Sequence, residues 1–313
     1  MRRPLPLCLF FLGMIFLASL GAAEEMPALR TRAEAIAASL DDSRLAGQVL
    51  LTGLDGNGTL PDAMGALLRN ISPGGVMLFR MNLNMDKSSA AAFLKTVSDL
   101  AAISVSDTGT IPPFLAVDHE GGAVHRFAEG VERLPPPLSY WKMARQNGRE
   151  YALGKIEEDA ARSGTEIRSL GISLNLAPVA ETLNGENSAF LGKRSYGPDS
   201  GFVAEASAAF IRGMAAAGLP CVVKHFPGNS AEDPHSAVSA LTGDRETLDR
   251  EILPLARLIT RNFSAGVMVS HAVVNAWDPG VNASRSRQVV SVWLRQNLGF
   301  SGIVLGDDFS MGA

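Results

Sequence analysis

The sequence predicts an α/β fold, a (β/α)8 TIM-type barrel. Three observations predict it. Short, continuously apolar runs alternate with longer helix-compatible stretches, most runs end in polar or ionisable residues, and no low-complexity linker divides the chain after Thr31. Continuous rather than alternating apolar runs belong to strands buried on both faces, as in a parallel sheet covered by helices. The length of 313 residues suits a barrel, which typically needs roughly 250.

Taken in order, residues 1–23 stand apart from the fold. Arg2 and Arg3 precede an apolar run from Leu5 to Leu20, followed by Gly21-Ala22-Ala23 and the acidic pair Glu24-Glu25. This is the charged region, apolar region and small-residue cleavage site of a signal peptide. The run is short against the ~20 residues of a bilayer span, and Cys8 lies too early to be a lipid-anchoring cysteine. The expectation is an exported protein, periplasmic or extracellular, with no membrane attachment after cleavage. The barrel is then assigned to residues 31–313.

Its predicted strands are Gly47–Thr52, Gly74–Phe79, Pro113–Val117, Ile172–Pro178, Leu219–His225, Ala265–His271 and Gly302–Leu305. Helices are predicted at Ser89–Ile103, Glu150–Leu170, Gly201–Ala217, Arg245–Arg261 and Ser286–Asn297. The stretch Gly53-Leu54-Asp55-Gly56-Asn57-Gly58 lacks the helix start of a phosphate-binding loop and reads as a surface turn, so no nucleotide fingerprint is present. Seven strands are found rather than eight. The eighth strand and the closing helices are expected to be missing beyond Ala313, leaving the edges of the first and last strands bare. The chain therefore reads as a fragment of a longer protein, or else as a remnant.

Composition excludes several classes of function. Apolar residues make up 46% and charged residues 19% of the chain, which fits a core-forming globule rather than a disordered segment. A net charge of −4 offers no basic field for nucleic acid. Cys8 and Cys221 build no disulfide framework. The histidines, His119, His125, His225, His235 and His271, include no H-x-H or H-E-x-x-H pair, so neither a catalytic metal nor a cofactor is expected.

The chemistry-bearing residues cluster after the strand runs: Arg80 and Asn82, Asp118, His119 and Glu120, Lys224 and His225, His271, and Asp307 and Asp308. In a parallel barrel these ends open onto one face, where active sites lie. The fifth run leads through Lys224-His225-Phe226-Pro227-Gly228 into a loop carrying Asp233-Pro234-His235. A carboxylate two residues from an imidazole can accept its N–H, fix the tautomer and equip it to exchange a proton near neutral pH.

Five blocks in order resemble glycoside hydrolase family 3, specifically its single-domain β-N-acetylhexosaminidase branch. They are Gly74 to Phe79; Val117-Asp118-His119-Glu120-Gly121-Gly122-Ala123-Val124-His125-Arg126; Gly192-Lys193-Arg194-Ser195-Tyr196-Gly197; Lys224 to Gly228 with Asp233-Pro234-His235; and Leu294 through Met311, including Gly306-Asp307-Asp308. The resemblance implies that Asp307 is the nucleophile, His235 the general acid/base and Asp233 its orienting partner. It implies that Asp118, Arg126, Arg194, Lys224 and His225 hold the hydroxyls of the terminal sugar. Asp308 and Glu120 are expected to support the site, His119 and His125 to be structural, and Trp141, Trp277 and Trp293 to pack.

The function so implied is an exo-acting, retaining β-N-acetylhexosaminidase that removes terminal β-linked GlcNAc from peptidoglycan fragments or other oligosaccharides, working as a monomer. A β-glucosidase, a GlcNAc phosphorylase, a non-catalytic sugar-binding barrel and an inactive fragment are the alternatives. The two-domain β-glucosidases of the family take their acid from a second domain, so the Asp233-His235 dyad favours the N-acetylglucosaminidase branch. Two features depart from the family pattern: Gly306 stands where serine is usual, and Gly228-Asn229-Ser230 stands in place of Gly-His-Gly.

Overall fold

The computed structural model describes residues 28–105, 109–232, 237–259 and 266–311. The expected signal peptide, Asp233 and His235 lie outside the described residues. Seven strands run parallel in chain order: β1 (Leu51–Gly53), β2 (Gly75–Leu78), β3 (Phe114–Val117), β4 (Leu174–Asn175), β5 (Val222–Phe226), β6 (Gly266–Val269) and β7 (Ile303–Gly306). The ladders pair Leu51 with Gly75, Gly75 with Phe114 and Ala116 with Leu174. Bridges between Asn175 and Cys221 and between Val179 and Lys224 carry the order on to β5. Gly266 then pairs with Val222 on one side and Ile303 on the other.

A shared interior makes this sheet a barrel. Ala116, Leu174, Leu176, Val222 and Met268 form an inner cluster, and Leu51, Met77 and Leu305 pack against it. All seven strands thus contribute to one core, whereas an open sheet would bury two separate faces. A second, larger cluster joins the outer face of the strands to the helices. This double burial is why the strand sequences are continuously apolar. Every position of β5 and β6 is buried, whereas Ile303 of β7 is 42% exposed. Among the described residues no ladder joins β7 to β1.

Each predicted strand run overlaps an observed strand, with shifts at the ends. Gly47 and Gln48, expected in the first strand, belong instead to the short helix Asp42–Gln48, which Asp41 starts by accepting the N–H of Arg44. Gly47 lies so close to the Ile71 carbonyl that a Cβ there would be 1.9 Å from its oxygen. The helix predicted over Arg245–Arg261 divides into Arg245–Glu251 and Leu253–Ile259. Pro254 has no N–H to give and is accommodated in the first turn of the second piece. The stretch expected from Ser286 becomes a π-helix over Gln288–Asn297. An antiparallel hairpin, Ile103–Val105 with Gly109–Ile111, was not expected.

The two long helices, Arg149–Ser169 and Ser200–Ala216, pack closely where Gly213 meets the first of them. A Cβ on Gly213 would sit 2.3 Å from the carbonyl oxygen of Glu157, so only glycine permits the approach. Trp277 and Trp293 stack on each other with centroids 4.3 Å apart, and Trp141 packs against Phe202. The tryptophans thus pack within the fold, as expected.

Candidate active site

The residues after β3 and at the end of β5 build the centre of the site. Beyond β3 the chain turns sharply at Gly121 and Gly122, whose φ values of 102° and 58° are left-handed. A Cβ on Gly121 would also meet the Pro135 carbonyl oxygen at 2.4 Å. The turn brings Arg126 back over Asp118, where its Nη2 donates to Oδ2 at 2.9 Å. From β5, Lys224 Nζ donates to Asp118 Oδ1 and to Glu120 Oε1, both at 2.7 Å. Arg194, on the 3-10 turn Gly192–Arg194, closes a fork on Glu120 with Nε at 2.8 Å and Nη2 at 2.9 Å.

The result is one chain of ion pairs, Arg126–Asp118–Lys224–Glu120–Arg194. Four of the five expected sugar-binding residues are in it, and Glu120 joins its two halves. Burial alone would push the carboxyls of Asp118 and Glu120 upward, but the cationic Lys224 with Arg126 or Arg194 outweighs it and holds both below their ordinary range. Burial likewise works to lower Lys224, and the charges of Asp118 and Glu120 overcome it, so its ammonium is held above the usual lysine value. Charge-assisted bonds of this kind fix donors rigidly.

The fifth expected residue, His225, belongs to an adjoining cluster. Its Nδ1 lies 2.6 Å from Glu181 Oε1. Glu181 also accepts the backbone N–H of Asn229 at 2.7 Å and faces its side-chain amide at 3.2 and 3.3 Å. A cleft lined by Glu181, Thr182, His225, Gly228 and Asn229 lies here. Asp307 and the ion-pair chain do not line it. Just beyond, Ser230 donates its backbone N–H to Ser239 Oγ at 2.9 Å, and the two hydroxyls lie 2.7 Å apart. These bonds join Ser230 to Ser239, nine positions further along the chain.

Asp307 follows β7 at the same end of the barrel. Its backbone N–H donates to the Val269 carbonyl at 2.9 Å, and its Oδ1 accepts the N–H of Asp308 at 2.9 Å. Among the described residues its carboxylate forms no salt bridge, although Asp307 is only 9% exposed. The Asp308 carboxylate instead accepts the N–H and hydroxyl of Ser310 at 2.8 and 2.7 Å. His271 bridges Ser284 and the Asp308 carbonyl, at 2.7 and 3.1 Å.

His119 and His125 take structural places. His119 is fully buried, its Nε2 is 2.9 Å from Ser163 Oγ, and its ring lies 5.2 Å from that of His125. Burial, with the neighbouring His125, depresses its pKa to about 3. Sequence reasoning missed Glu181 and the bridging part played by Glu120. Glu120 could have been inferred from three cations, Arg126, Arg194 and Lys224, set against the single carboxylate of Asp118 among the expected sugar-binding residues. The residue after Val179-Ala180 carried no comparable signal beyond being ionisable downstream of a strand.

The model of the glycosyl hydrolase family 3 N-terminal domain matches residues 48–313. A β-hexosaminidase of Xylella fastidiosa (strain M12) is 34% identical over 268 residues, covering 85% of this chain and 76% of that protein. One from Vibrio cholerae is 33% identical over 245 residues, covering 78% of this chain and 69% of that one. Among solved structures, a family 3 β-N-acetylglucosaminidase from Paenibacillus sp. superposes with a TM-score of 0.76 at 30% identity, covering 87% of this chain and 50% of that one. NagZ from Neisseria gonorrhoeae, in complex with N-trifluoroacetyl-D-glucosamine, gives a TM-score of 0.75 at 27% identity, covering 84% and 75%. The chain thus spans half of the Paenibacillus protein and about three quarters of the Xylella one.

Proposed function

The chain belongs to glycoside hydrolase family 3, with β-hexosaminidases among its relatives, and from that premise we propose that it is an exo-acting, retaining β-N-acetylhexosaminidase. The observation that carries the reading is the ion-pair chain. Arg126, Lys224 and Arg194 are donors fixed by Asp118 and Glu120 at the barrel end that also bears Asp307. Sugar hydroxyls are well served by rigid, charge-assisted partners, and the same rim carries a carboxylate suited to act as nucleophile.

In this reading Asp307 attacks the anomeric carbon through an oxocarbenium-like transition state while His235, oriented by Asp233, protonates the leaving oxygen. Water, losing its proton to His235, then cleaves the glycosyl-enzyme bond, and the anomeric configuration is retained overall. The substrate class is terminal β-linked GlcNAc, on peptidoglycan fragments or other oligosaccharides. The N-terminal sequence supports export, which cell fractionation tests directly. The functional test is turnover of an aryl β-N-acetylglucosaminide by the full chain, with the anomer of the first product read by NMR. Asp307→Ala should abolish turnover. GlcNAc binding without hydrolysis would instead select a sugar-binding barrel, and an initial α-anomer would refute retention.

A further inference from the structure

Glu181 is surrounded by donors. Its two oxygens lie against His225 Nδ1 at 2.6 Å, the Asn229 N–H at 2.7 Å, the Asn229 side-chain amide at 3.2 and 3.3 Å, and the His225 N–H at 3.4 Å. The carboxylate is buried, with 5% of its residue exposed. An ionised carboxylate can only accept, so the proton of its bond to His225 must sit on Nδ1. The opposite tautomer would set a lone pair against a carboxylate oxygen at hydrogen-bonding distance.

The accounting of the neighbouring site gives this tautomer a use. Both oxygens of Asp118 and both of Glu120 already accept from Arg126, Lys224 or Arg194. The ion-pair chain therefore offers its spare capacity mainly as N–H donors. A sugar hydroxyl both donates and accepts, and a site that binds several of them needs acceptors too. His225 lines the adjoining cleft together with Asn229, whose Oδ1 is buried and has no hydrogen-bond partner among the described residues.

We propose that Glu181 is a positioning residue that holds His225 in the Nδ1-protonated tautomer, so that Nε2 accepts a hydrogen bond from a hydroxyl of the bound sugar. The inference rests on the sugar-binding role given to His225 above. It also gives a place to Asn229, where this chain departs from the family pattern. Asn229 supplies Glu181 with further donors, so the carboxylate that orients His225 also holds the chain just after β5.

The test is a long-range 1H–15N correlation spectrum of the 15N-labelled full chain at about pH 8, above the ordinary histidine range, with the His225 signals assigned by their loss in His225→Gln. The expected result is a protonated Nδ1 and a lone pair on Nε2. A protonated Nε2 overturns the proposal, and this measurement needs no variant at Glu181 to fold. In Glu181→Gln the tautomer preference should weaken or reverse. On the aryl β-N-acetylglucosaminide, kcat/KM should then fall on the order of tenfold. That loss should vanish for one member of a 3-, 4- and 6-deoxy substrate series, because its missing hydroxyl is the one that His225 accepts. An equal loss across the parent and all three deoxy substrates would assign Glu181 a purely structural role and overturn the proposal. If no β-N-acetylhexosaminide is turned over, the proposed function fails, while the spectrum still decides the tautomer.

Discussion

The substitution Glu120→Gln alters one charge at the centre of the ion-pair chain while keeping the side chain's shape. In the native molecule the Glu120 carboxylate accepts from Arg194 twice and from Lys224 once, at 2.7 to 2.9 Å. A Gln amide turns one of those acceptors into a donor facing other donors. It also leaves Lys224, whose side chain is 4% exposed, with Asp118 as its remaining anionic partner in the chain. Removing one partner of a buried ion pair costs about 3–5 kcal/mol. Because Lys224 keeps Asp118 and the Arg194 side chain is 27% exposed, the lower end, about 3 kcal/mol, is expected. Urea unfolding followed by tryptophan fluorescence measures this as a lower midpoint at unchanged slope.

The pH dependence supplies an independent check. Glu120 is held below its ordinary range in the folded state, despite burial, mainly by Lys224 and Arg194. A depressed carboxyl contributes stability that is fully present above the unfolded value of about 4.3 and lost as pH falls toward the folded value. The gap between native protein and variant should therefore be widest at neutral pH and should narrow as the pH falls below about 4.3. Asp118 has the same sign and remains in both proteins, but the Glu120 charge itself pushes Asp118 upward, so the difference between them reports Glu120 together with its coupling to Asp118 through Lys224. Misplacing Arg194 and Lys224 should also lower kcat/KM by about a hundredfold. A neutral-pH stability loss under about 0.5 kcal/mol, or a gap that does not narrow in acid, would refute the reasoning.

Three further predictions follow from the same chemistry. His235→Ala should cost poor leaving groups far more than activated aryl ones, because only the former need a proton; equal losses across a leaving-group series would remove His235 from that role. His119, with its folded pKa depressed to about 3 by burial and by His125, binds its proton more readily when unfolded. Stability should thus fall by about 1.4 kcal/mol per pH unit below about 6.5, and His119→Gln should flatten that part of the urea-derived profile relative to the native protein. In hydrogen exchange, amides of β1 and β7 should exchange well ahead of those in β5 and β6, since β1 and β7 each lack a partner ladder on one side among the described residues. Uniform protection would indicate that those edges are covered.

Much of the fold was legible because double burial leaves a simple trace. Strands such as Val222–Phe226 and Gly266–Val269 are covered on both sides, so their sequences show unbroken apolar runs. Boundaries were less legible where a local device intervened. Asp41 caps a helix in front of β1, and Pro254 divides a helix that periodicity alone would continue. The polar residues following the strands pointed to the correct rim, and the family resemblance supplied their roles. Neither could reveal that Lys224 bonds Asp118 across 106 positions of sequence or that Glu181 meets His225 across 44. Such pairings depend on which strands become neighbours, a property of the assembled sheet.

That dependence also explains why Asp118 and Glu120 stand in the same segment. Both follow β3, and Lys224 comes from β5, two places along in the barrel once the bridges from β4 to β5 are followed. Asp118 and Glu120 are two residues apart, so one lysine can span both, and each carboxylate retains an oxygen for an arginine: Asp118 for Arg126, Glu120 for Arg194. Of the Lys224 ammonium's three N–H donors, two are committed to the frame, and each guanidinium keeps N–H groups beyond those bonded. The carboxylates therefore act as a jig: they spend their own accepting capacity on aiming three cations. Desolvating these charges is costly in folding, and it yields donors that need no rearrangement when a sugar arrives. A pocket so rich in aimed donors requires matching acceptors, and the tautomer proposed for His225 supplies one at Nε2.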